Sequence, residues 1–239
     1  MVKRATVNSF VVTCEHGGNR IPRPCRRLFR GQRRLLDSHC GYDPGALVMA
    51  KALARALAAP LVTSTISRLV VDLNRSIGHP QLFSAATRGA PSELRTKIVA
   101  QYYRPYRMEV ERLVRRSVTR SRRVVHVSSH SFTPELNGKV RTADVGLLYD
   151  PARQRETELC ALWKASLAVI APHIRVRRNY PYSGNADGLT SALRVVFPSD
   201  AYIGVELEVN QNIVFAAGRR WTALRLALID SLRMACVQQ

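Results

Sequence analysis

Short apolar segments alternate with longer amphipathic segments along most of the chain. Residues 8–14 form a short apolar run bounded by turn-forming residues, which is typical of a buried strand. Residues 123–132 are rich in valine and predict a second buried strand, and residues 144–150 predict a third strand. Residues 44–58 and 154–171 place apolar side chains at helical spacing. The pattern predicts further strands over 61–67, 69–73 and 202–211, and a strand that passes into a loop over 174–184. It also predicts a closing helix over 219–236 and a long helix over 92–118 that Pro105 interrupts or kinks. This alternation indicates an α/β fold with a largely parallel sheet.

Polar side chains gather where the predicted strands end. Such residues lie in segments 15–19, 72–75, 128–131 and 206–211. Ligands of open α/β sheets bind outside the carboxyl ends of the strands, so these segments are expected to line one site. Two histidines and a carboxylate, with a further glutamate nearby, form the donor set of a hydrolytic zinc site. A nearby arginine can stabilise an oxyanion, and an Asn–Arg pair suits the capture of a carboxylate.

The composition adds a strong positive charge. The 239 residues contain 37 Lys plus Arg against 17 Asp plus Glu, a formal net charge of +20. Such a charge favours anionic partners, either nucleic acid or anionic small molecules. The arginines are spread along the chain in short clusters, and the sequence lacks zinc-finger spacing and the aromatic pattern of RNA-binding domains. Nucleic acid is therefore an alternative partner, and a small anion is the preferred one.

The cysteines and the apolar segments bear on the compartment. The five cysteines include no CxxC pair, which favours reduced packing residues over a disulfide framework. No apolar stretch approaches the length of a membrane span, and the N-terminal apolar run is too short for a signal peptide. We therefore expect a cytoplasmic protein without a membrane segment.

Seven short pieces, in this order, resemble the N-formylglutamate amidohydrolase family. They are CEHGGNRIP (14–22), HCGYDPGA (39–46), SRLVVDLNR (67–75), HSFTP (130–134), VGLLYD (145–150), NYPYSG (179–184) and ELEVNQ (206–211). The DLNR piece also resembles aspartoacylase and succinylglutamate desuccinylase, which have a zinc carboxypeptidase-like fold. The resemblance implies one three-layer domain over residues 1–239. Its mixed, mostly parallel sheet would have about eight strands between helices, as in the phosphorylase/hydrolase-like fold of zinc exopeptidases.

The resemblance also implies an activity and a metal site. The activity is metal-dependent removal of a formyl or other acyl group from the nitrogen of an acidic or related amino acid by zinc-activated water. His16 and His130 match the two metal-binding histidines, and Asp43 is chosen as the third ligand of one Zn²⁺ per chain. Glu208 matches the general base, and Arg68 resembles the arginine that polarises the scissile carbonyl.

The same resemblance assigns the substrate contacts. Asn74 and Arg75 resemble a clamp for the carboxylate of an N-acyl amino acid. Tyr182 lies in a segment that resembles a substrate-covering loop, and Arg194 is a further candidate contact with an anion.

Several alternatives remain open at this stage. His39 is a second candidate for the third ligand, and Asn19 occupies the position where zinc exopeptidases carry a ligating glutamate. Asp43 could instead cap the helix that begins near Pro44. Glu206 competes with Glu208 for the role of base. His126 is expected in the core or behind the metal ligands.

Three other functions compete with metal-dependent hydrolysis. One is a cysteine amidase that uses Cys14 as its nucleophile. Another is a non-catalytic relative that binds an acyl amino acid without cleaving it. The third is a nucleic-acid-binding protein on the same scaffold, which would bind any duplex in a strongly salt-dependent way.

Overall fold

The structure, a computed structural model, describes residues 8–118 and 123–238. The strands are β1 Asn8–Cys14, β2 Leu61–Thr63, β3 Arg123–Phe132, β4 Glu135–Leu136, β5 Lys139–Val140, β6 Val145–Leu148, β7 Val176–Arg178 and β8 Tyr202–Asn210. The helices are α1 Arg33–Leu36, α2 Ala46–Ala56, α3 Ala85–Arg88, α4 Ser92–Ile98, α5 Arg104–Val118, α6 Gln154–Ile170, α7 Leu189–Val196, α8 Gln211–Phe215 and α9 Gly218–Val237.

The main sheet of the described residues has the strand order β2-β1-β3-β8-β6-β7. Strands β2, β1, β3 and β8 are mutually parallel, β6 runs antiparallel to β8, and β7 is parallel to β6. The prediction of an α/β fold with a mixed, mostly parallel sheet is confirmed. The sheet has six strands where about eight were expected, because β4 and β5 pair only with each other as a hairpin.

Helices cover both faces of the sheet. On one face, α2, α6 and α9 bury apolar side chains such as Met49, Trp163 and Leu228. On the other face, α4, α5 and α7 contribute side chains such as Val110 and Leu193. All ten residues of the central strand β3 are buried, including its polar residues, so the strand shows no alternation between a buried and a solvent-facing side.

The predicted strand over 69–73 is wrong. Val70 and Val71 are buried, but the segment forms turns and pairs with no strand. The Asp72 carboxylate accepts a hydrogen bond from the backbone N–H of Asn74 at 2.9 Å, an Asx turn that ends the extended conformation. The predicted strand over 61–67 is shorter than expected and ends at Thr63.

The helices also differ from the sequence pattern at two places. The predicted helix over 92–118 is interrupted by a π-helical turn, Val99–Tyr103, which lies directly before Pro105. Proline cannot donate the backbone hydrogen bond of a regular helix, so a wider turn at this place is physically reasonable. Helix α7 lies between the segments 174–184 and 202–211, in a stretch for which the sequence pattern predicts no element.

The carboxyl ends of β1, β3 and β8 meet at one edge of the sheet. In the β3–β8 register, His130 lies opposite Glu208 and Ser128 lies opposite Glu206. His16 follows the end of β1, which is the other neighbour of β3. The parallel arrangement therefore brings together polar residues from distant parts of the sequence, as the strand-end pattern indicates.

His126, on β3, predicts a pH dependence of stability. It is fully buried, and its ring nitrogens bond to Thr13 Oγ1 at 2.9 Å and Tyr202 Oη at 2.7 Å. Burial lowers the pKa of His126 to about 4. The unfolded chain takes up this proton near pH 6.5, so stability falls as the pH drops from about 6.5 to 4, by about 3 kcal/mol for this group.

The measurement is urea unfolding of the wild type and of His126→Gln at pH 7 and pH 4. Glutamine keeps an amide that can hydrogen-bond but cannot take up the proton. We expect the wild type to lose about 3 kcal/mol more than the variant over this range. An equal loss in both proteins would contradict the buried, neutral state of His126.

Candidate active site

The polar strand ends line a cavity of about 370 Å³. Every site residue proposed from the sequence lines this cavity except Arg194. The cavity therefore unites residues from the segments after β1 and β2, from β3 and β8, and from the loop before α7.

His16, Asp43 and His130 form a compact group that could hold a metal ion. All three are buried, and one donor atom of each lies within 4.8 Å of the others. The Nδ1 atoms of His16 and His130 lie 3.4 and 2.8 Å from the same Asp43 oxygen, Oδ2. Two imidazole nitrogens and a carboxylate oxygen directed at one point are a donor set that suits Zn²⁺.

The remaining nitrogen of each imidazole is held by a separate carboxylate. His16 Nε2 lies 2.7 Å from Asp72 Oδ1, and His130 Nε2 lies 3.0 Å from Glu15 Oε2. Metal-ligating histidines usually bond to a carboxylate, carbonyl or water through their second nitrogen, which fixes the ring orientation and the tautomer. The arrangement of both rings therefore fits a metal at Nδ1.

Glu15 is itself held by neighbouring hydroxyls. It is fully buried at the end of β1 and accepts hydrogen bonds from Tyr106 Oη at 2.8 Å and Ser128 Oγ at 2.5 Å. Burial alone would raise the pKa of Glu15, but the bonds from His130 and Ser128 hold this pKa below its ordinary value. Glu15 is therefore a fixed anion behind His130.

The charges of this cluster favour a bound cation. The carboxylates of Glu15, Asp43, Asp72 and Glu208 are each at most 5% exposed. Among the described residues, the guanidinium that pairs with this cluster belongs to Arg68. Buried charges are normally paired or coordinate metals, and one guanidinium does not balance the three anions Glu15, Asp43 and Asp72, whose other partners are the two histidines. A divalent cation would compensate the excess negative charge, so the residues present fit the metal that the sequence predicts.

The geometry discriminates between the candidates for the third ligand. The Asp43 carboxylate faces both histidines and Arg68, while the N-cap position of α2 belongs to Gly45. Asp43 is therefore not the cap of that helix. His39 lines the cavity but lies outside the group, and Asn19 donates its side-chain N–H to Asp37.

The two glycines after His16 lie where two segments of the chain approach each other closely. A Cβ on Gly17 would lie 2.9 Å from the Ser64 carbonyl oxygen, and one on Gly18 would lie 2.8 Å from that of Thr65. The glycines therefore allow the chain after β1 to pack closely against the segment after β2.

Glu208 and Glu206 both line the cavity but differ in their partners. Glu206 accepts a hydrogen bond from Thr190 Oγ1 at 2.8 Å. Glu208 is buried, and its Oε2 atom has no hydrogen-bond partner among the described residues. Burial raises the pKa of Glu208 to about 8, and the charges of Asp43 and Glu206 add to this effect against the opposing charge of His130. Glu208 is thus the glutamate of this pair whose Oε2 atom is available for a hydrogen bond in the cavity.

Arg68 and the Asn74–Arg75 pair stand on another wall of the cavity. Arg68 donates to Asp72 Oδ2 at 2.8 Å, which holds its guanidinium beside the metal group. Asn74 Oδ1 accepts from the backbone N–H of Leu189 at 2.6 Å. Arg75 donates to the backbone oxygen of Asp187 at 2.7 Å, forms no ion pair with a described carboxylate, and has a buried Nε without a partner.

Of the two other candidate substrate contacts, Tyr182 lines the cavity and Arg194 does not. Tyr182 lines the cavity and is 46% exposed. Arg194, on α7, lies outside the cavity with its side chain 6% exposed, and it donates to Glu156 at 3.0 Å and to the backbone oxygens of Gly184 and Gly204. These bonds tie the loop before α7 to β8 and α6, so we do not carry Arg194 forward as a substrate contact.

The cysteines do not support thiol catalysis. The five cysteines are free, and Cys14, Cys25 and Cys160 are buried. Burial raises the pKa of the Cys14 thiol well above its ordinary value, which suppresses the thiolate that a nucleophile requires.

The positive charge is densest between the first strand and Asp43. Seven exposed arginines occupy residues 20–34, and the first acidic residue after them is Asp37. A nucleic-acid partner for this surface stays a prediction. Among the helices of 8–118 and 123–238, none is long and apolar enough to cross a membrane.

Sequence reasoning missed the residues behind the metal ligands. The sequence pattern places Glu15 and Ser128 among the polar residues at strand ends but gives them no role. Tyr106 lies in the predicted helix over 92–118, where nothing in the pattern indicates a contact with the site. A carboxylate directly beside a ligating histidine is the signal that could have identified Glu15, since such histidines need an acceptor for their second nitrogen.

Comparisons with known proteins bear on the whole chain. A sequence model described as N-formylglutamate amidohydrolase matches residues 8–215. The structure of a gene product of Agrobacterium tumefaciens has 28% sequence identity and a TM-score of 0.84, covering 98% of this chain and 92% of that chain. No curated protein has a significant sequence match to this chain.

Two more distant structures share the fold. An N-formylglutamate amidohydrolase from Ralstonia eutropha JMP134 has 18% identity and a TM-score of 0.71, covering 97% of this chain and 94% of that chain. A bacteriophage poly-gamma-glutamate hydrolase has 11% identity and a TM-score of 0.51, covering 98% of this chain and 87% of that chain. At these identities, the two similarities extend to the fold alone.

Metal binding can be tested with Zn²⁺ as the probe. We expect about one ion per chain in the wild type and its loss in His16→Ala and His130→Ala, because each variant removes one of three ligands. His173→Ala is the matched control, since His173 is exposed and lies outside the group. Retention of the ion in both ligand variants would contradict this site.

The role of Glu15 is tested by Glu15→Gln in a competition titration against a chelator. We expect Zn²⁺ affinity to fall about 10- to 100-fold, because the amide supports the His130 ring less well than the carboxylate. Circular dichroism checks that the variant is folded. Unchanged affinity in a folded variant would show that Glu15 does not position His130.

Proposed function

The chain belongs to the N-formylglutamate amidohydrolase family, and we propose that it is a metal-dependent hydrolase that removes a formyl or other acyl group from the nitrogen of an amino acid. One observation carries this proposal. The cavity that contains the buried group of His16, Asp43 and His130 also contains Glu208, whose carboxylate oxygen Oε2 is unpartnered. A metal site and a spare carboxylate in one cavity are the two parts that hydrolysis of an amide requires.

His16, Asp43 and His130 would hold the ion, with Asp72 and Glu15 fixing the two imidazole rings. When bound, a Zn²⁺ ion supplies Lewis-acid polarisation of the acyl carbonyl and activates water near neutral pH. Three protein ligands leave a position open for water or substrate, as catalytic zinc sites require.

Glu208 acts as the general base and then as the general acid. Its free oxygen takes the proton from the attacking water and later delivers this proton to the amide nitrogen that leaves. Burial raises the pKa of the carboxyl, which strengthens it as a base. Glu206 is less suited to this role because Thr190 already donates to it.

Arg68 and the Asn74–Arg75 pair bind the substrate. Arg68 is held beside the metal group by Asp72 and Asp43, so its guanidinium can stabilise the negative charge that develops on the acyl oxygen. Arg75 offers a guanidinium without a carboxylate partner to the α-carboxylate of the substrate. Because Asn74 Oδ1 is occupied by Leu189, the Nδ2 group is the part of Asn74 that can donate to the same carboxylate.

The family suggests an acidic amino acid as the substrate, with N-formyl-L-glutamate as the first compound to assay. A non-catalytic relative would have no need for an unpartnered buried carboxylate in the cavity. Such an oxygen costs stability unless it has a partner in some state of the protein, and an attacking water is such a partner.

Replacement of Glu208 by Gln tests the mechanism. We expect Glu208→Gln to lower kcat by at least about 100-fold while Zn²⁺ binding and KM change little, because the amide cannot accept the proton. Glu206→Gln is the matched comparison on the same strand and should lower kcat far less. The measurement is steady-state hydrolysis of N-formyl-L-glutamate with the zinc content determined in parallel.

Two outcomes would contradict this assignment. Near-normal turnover in Glu208→Gln with a large loss in Glu206→Gln would move the base to Glu206. If the zinc-loaded wild type bound N-acyl amino acids but hydrolysed none of them, the non-catalytic alternative would be correct.

A further inference from the structure

The cavity has one wall that the proposed mechanism does not use. Three groups branch from the α-carbon of an N-acyl amino acid: the acyl amide, the carboxylate and the side chain. In the proposed function, the metal group and Glu208 receive the amide, and Asn74 with Arg75 receive the carboxylate. Among the lining residues without a role in the proposed function are Phe132, Thr133, Leu136 and Tyr182, and we assign the side chain of the substrate to this wall.

Arg141 contacts three of the four residues of this wall. Its Nη1 atom donates to Tyr182 Oη at 3.1 Å and to the Thr133 backbone oxygen at 3.4 Å. Its Cζ atom lies 5.0 Å from the ring centre of Tyr182 and 5.9 Å from that of Phe132. Arg141 is not itself a lining residue of the cavity, but these contacts place its guanidinium directly against the wall that the substrate side chain would meet.

The backbone of Arg141 is fixed at this place. Its N–H donates to the Pro134 carbonyl at 2.7 Å, across the β4–β5 hairpin. Its carbonyl accepts from Asn210 Nδ2 at 3.2 Å, at the end of β8. The hairpin and the central sheet therefore hold Arg141 from two sides, and its position does not depend on the substrate.

The charge of Arg141 has aromatic and carbonyl neighbours but no counter-ion. It is half-buried and makes no ion pair with any carboxylate in the described part of the chain. Aromatic rings and neutral oxygens attract a guanidinium but do not neutralise it. Its planar set of N–H donors matches a carboxylate better than any neutral group.

We propose that Arg141 is the specificity-determining residue of this site and that it binds the anionic end of the substrate side chain. The acidic substrate that the family suggests would then be bound as a dianion, with Arg141 as the residue that distinguishes it from a neutral one. Arg75 takes the first carboxylate and Arg141 takes the second. This inference rests on the proposed function, because it needs the acyl amide to lie at the metal group.

The test compares an acidic substrate with a neutral analogue of nearly the same shape. The full-length zinc-loaded protein is assayed with N-formyl-L-glutamate and with N-formyl-L-glutamine. We expect Arg141→Gln to lower kcat/KM for the glutamate substrate about 10- to 100-fold, mainly through KM, and to leave the glutamine substrate nearly unchanged. Arg141→Lys keeps the charge without the planar donor set and should retain part of the preference.

Arg177→Gln is the matched control. Arg177 also stacks on a tyrosine, with its Cζ 4.8 Å from the ring centre of Tyr180, but Tyr180 does not line the cavity. This control should leave kcat/KM for both substrates unchanged. An equal loss for both substrates in Arg141→Gln would overturn the specificity role, since it would indicate a purely structural effect on Tyr182.

The remaining outcomes separate this inference from the function on which it rests. If the wild type hydrolyses both substrates with equal kcat/KM, the role of Arg141 is wrong and the amidohydrolase function stands. If the wild type hydrolyses neither these nor other N-acyl amino acids, both proposals are wrong. A preference for glutamate that survives Arg141→Gln also overturns the inference.

Discussion

The compensation of buried negative charge is the constraint on which the site depends. Glu15, Asp43 and Asp72 are removed from water at one edge of the sheet, where Arg68 pairs with Asp43 and Asp72, and His130 pairs with Glu15. Isolated carboxylates would be strongly unfavourable there. Both imidazoles point their Nδ1 atoms at one oxygen of Asp43, and Asp72 and Glu15 hold their Nε2 atoms. A divalent cation would stabilise this arrangement.

The sheet produces this arrangement through the order and register of its strands. Parallel β1, β3 and β8 end at the same edge, and the β3–β8 register places His130 beside Glu208. Close packing at Gly17 and Gly18 brings the segment after β2 against the end of β1, which carries Asp72 to His16. Residues more than 50 positions apart in the sequence thus meet because the backbone hydrogen bonds of the sheet align them.

Much of the fold and part of the cavity lining could be predicted from local signals, whereas Asp43, Arg68 and Tyr182 were suggested by the family resemblance. Apolar runs mark the buried strands, and polar residues at their ends mark the ligand-binding edge. The strand order, the register and the partners of Glu15 depend on tertiary contacts that no local pattern contains. Val70 and Val71 resemble a strand because burial alone selects such residues, and Arg194 resembles an anion contact until its bond to Glu156 is seen.

The most direct test is anomalous diffraction at the zinc edge from crystals grown with Zn²⁺. We expect one ion bound by Nδ1 of His16, Nδ1 of His130 and a carboxylate oxygen of Asp43. The Nε2 atoms of the two histidines should remain on Asp72 and Glu15. An ion bound elsewhere, coordination through Nε2, or a cavity without zinc at saturating concentration would contradict the central claim.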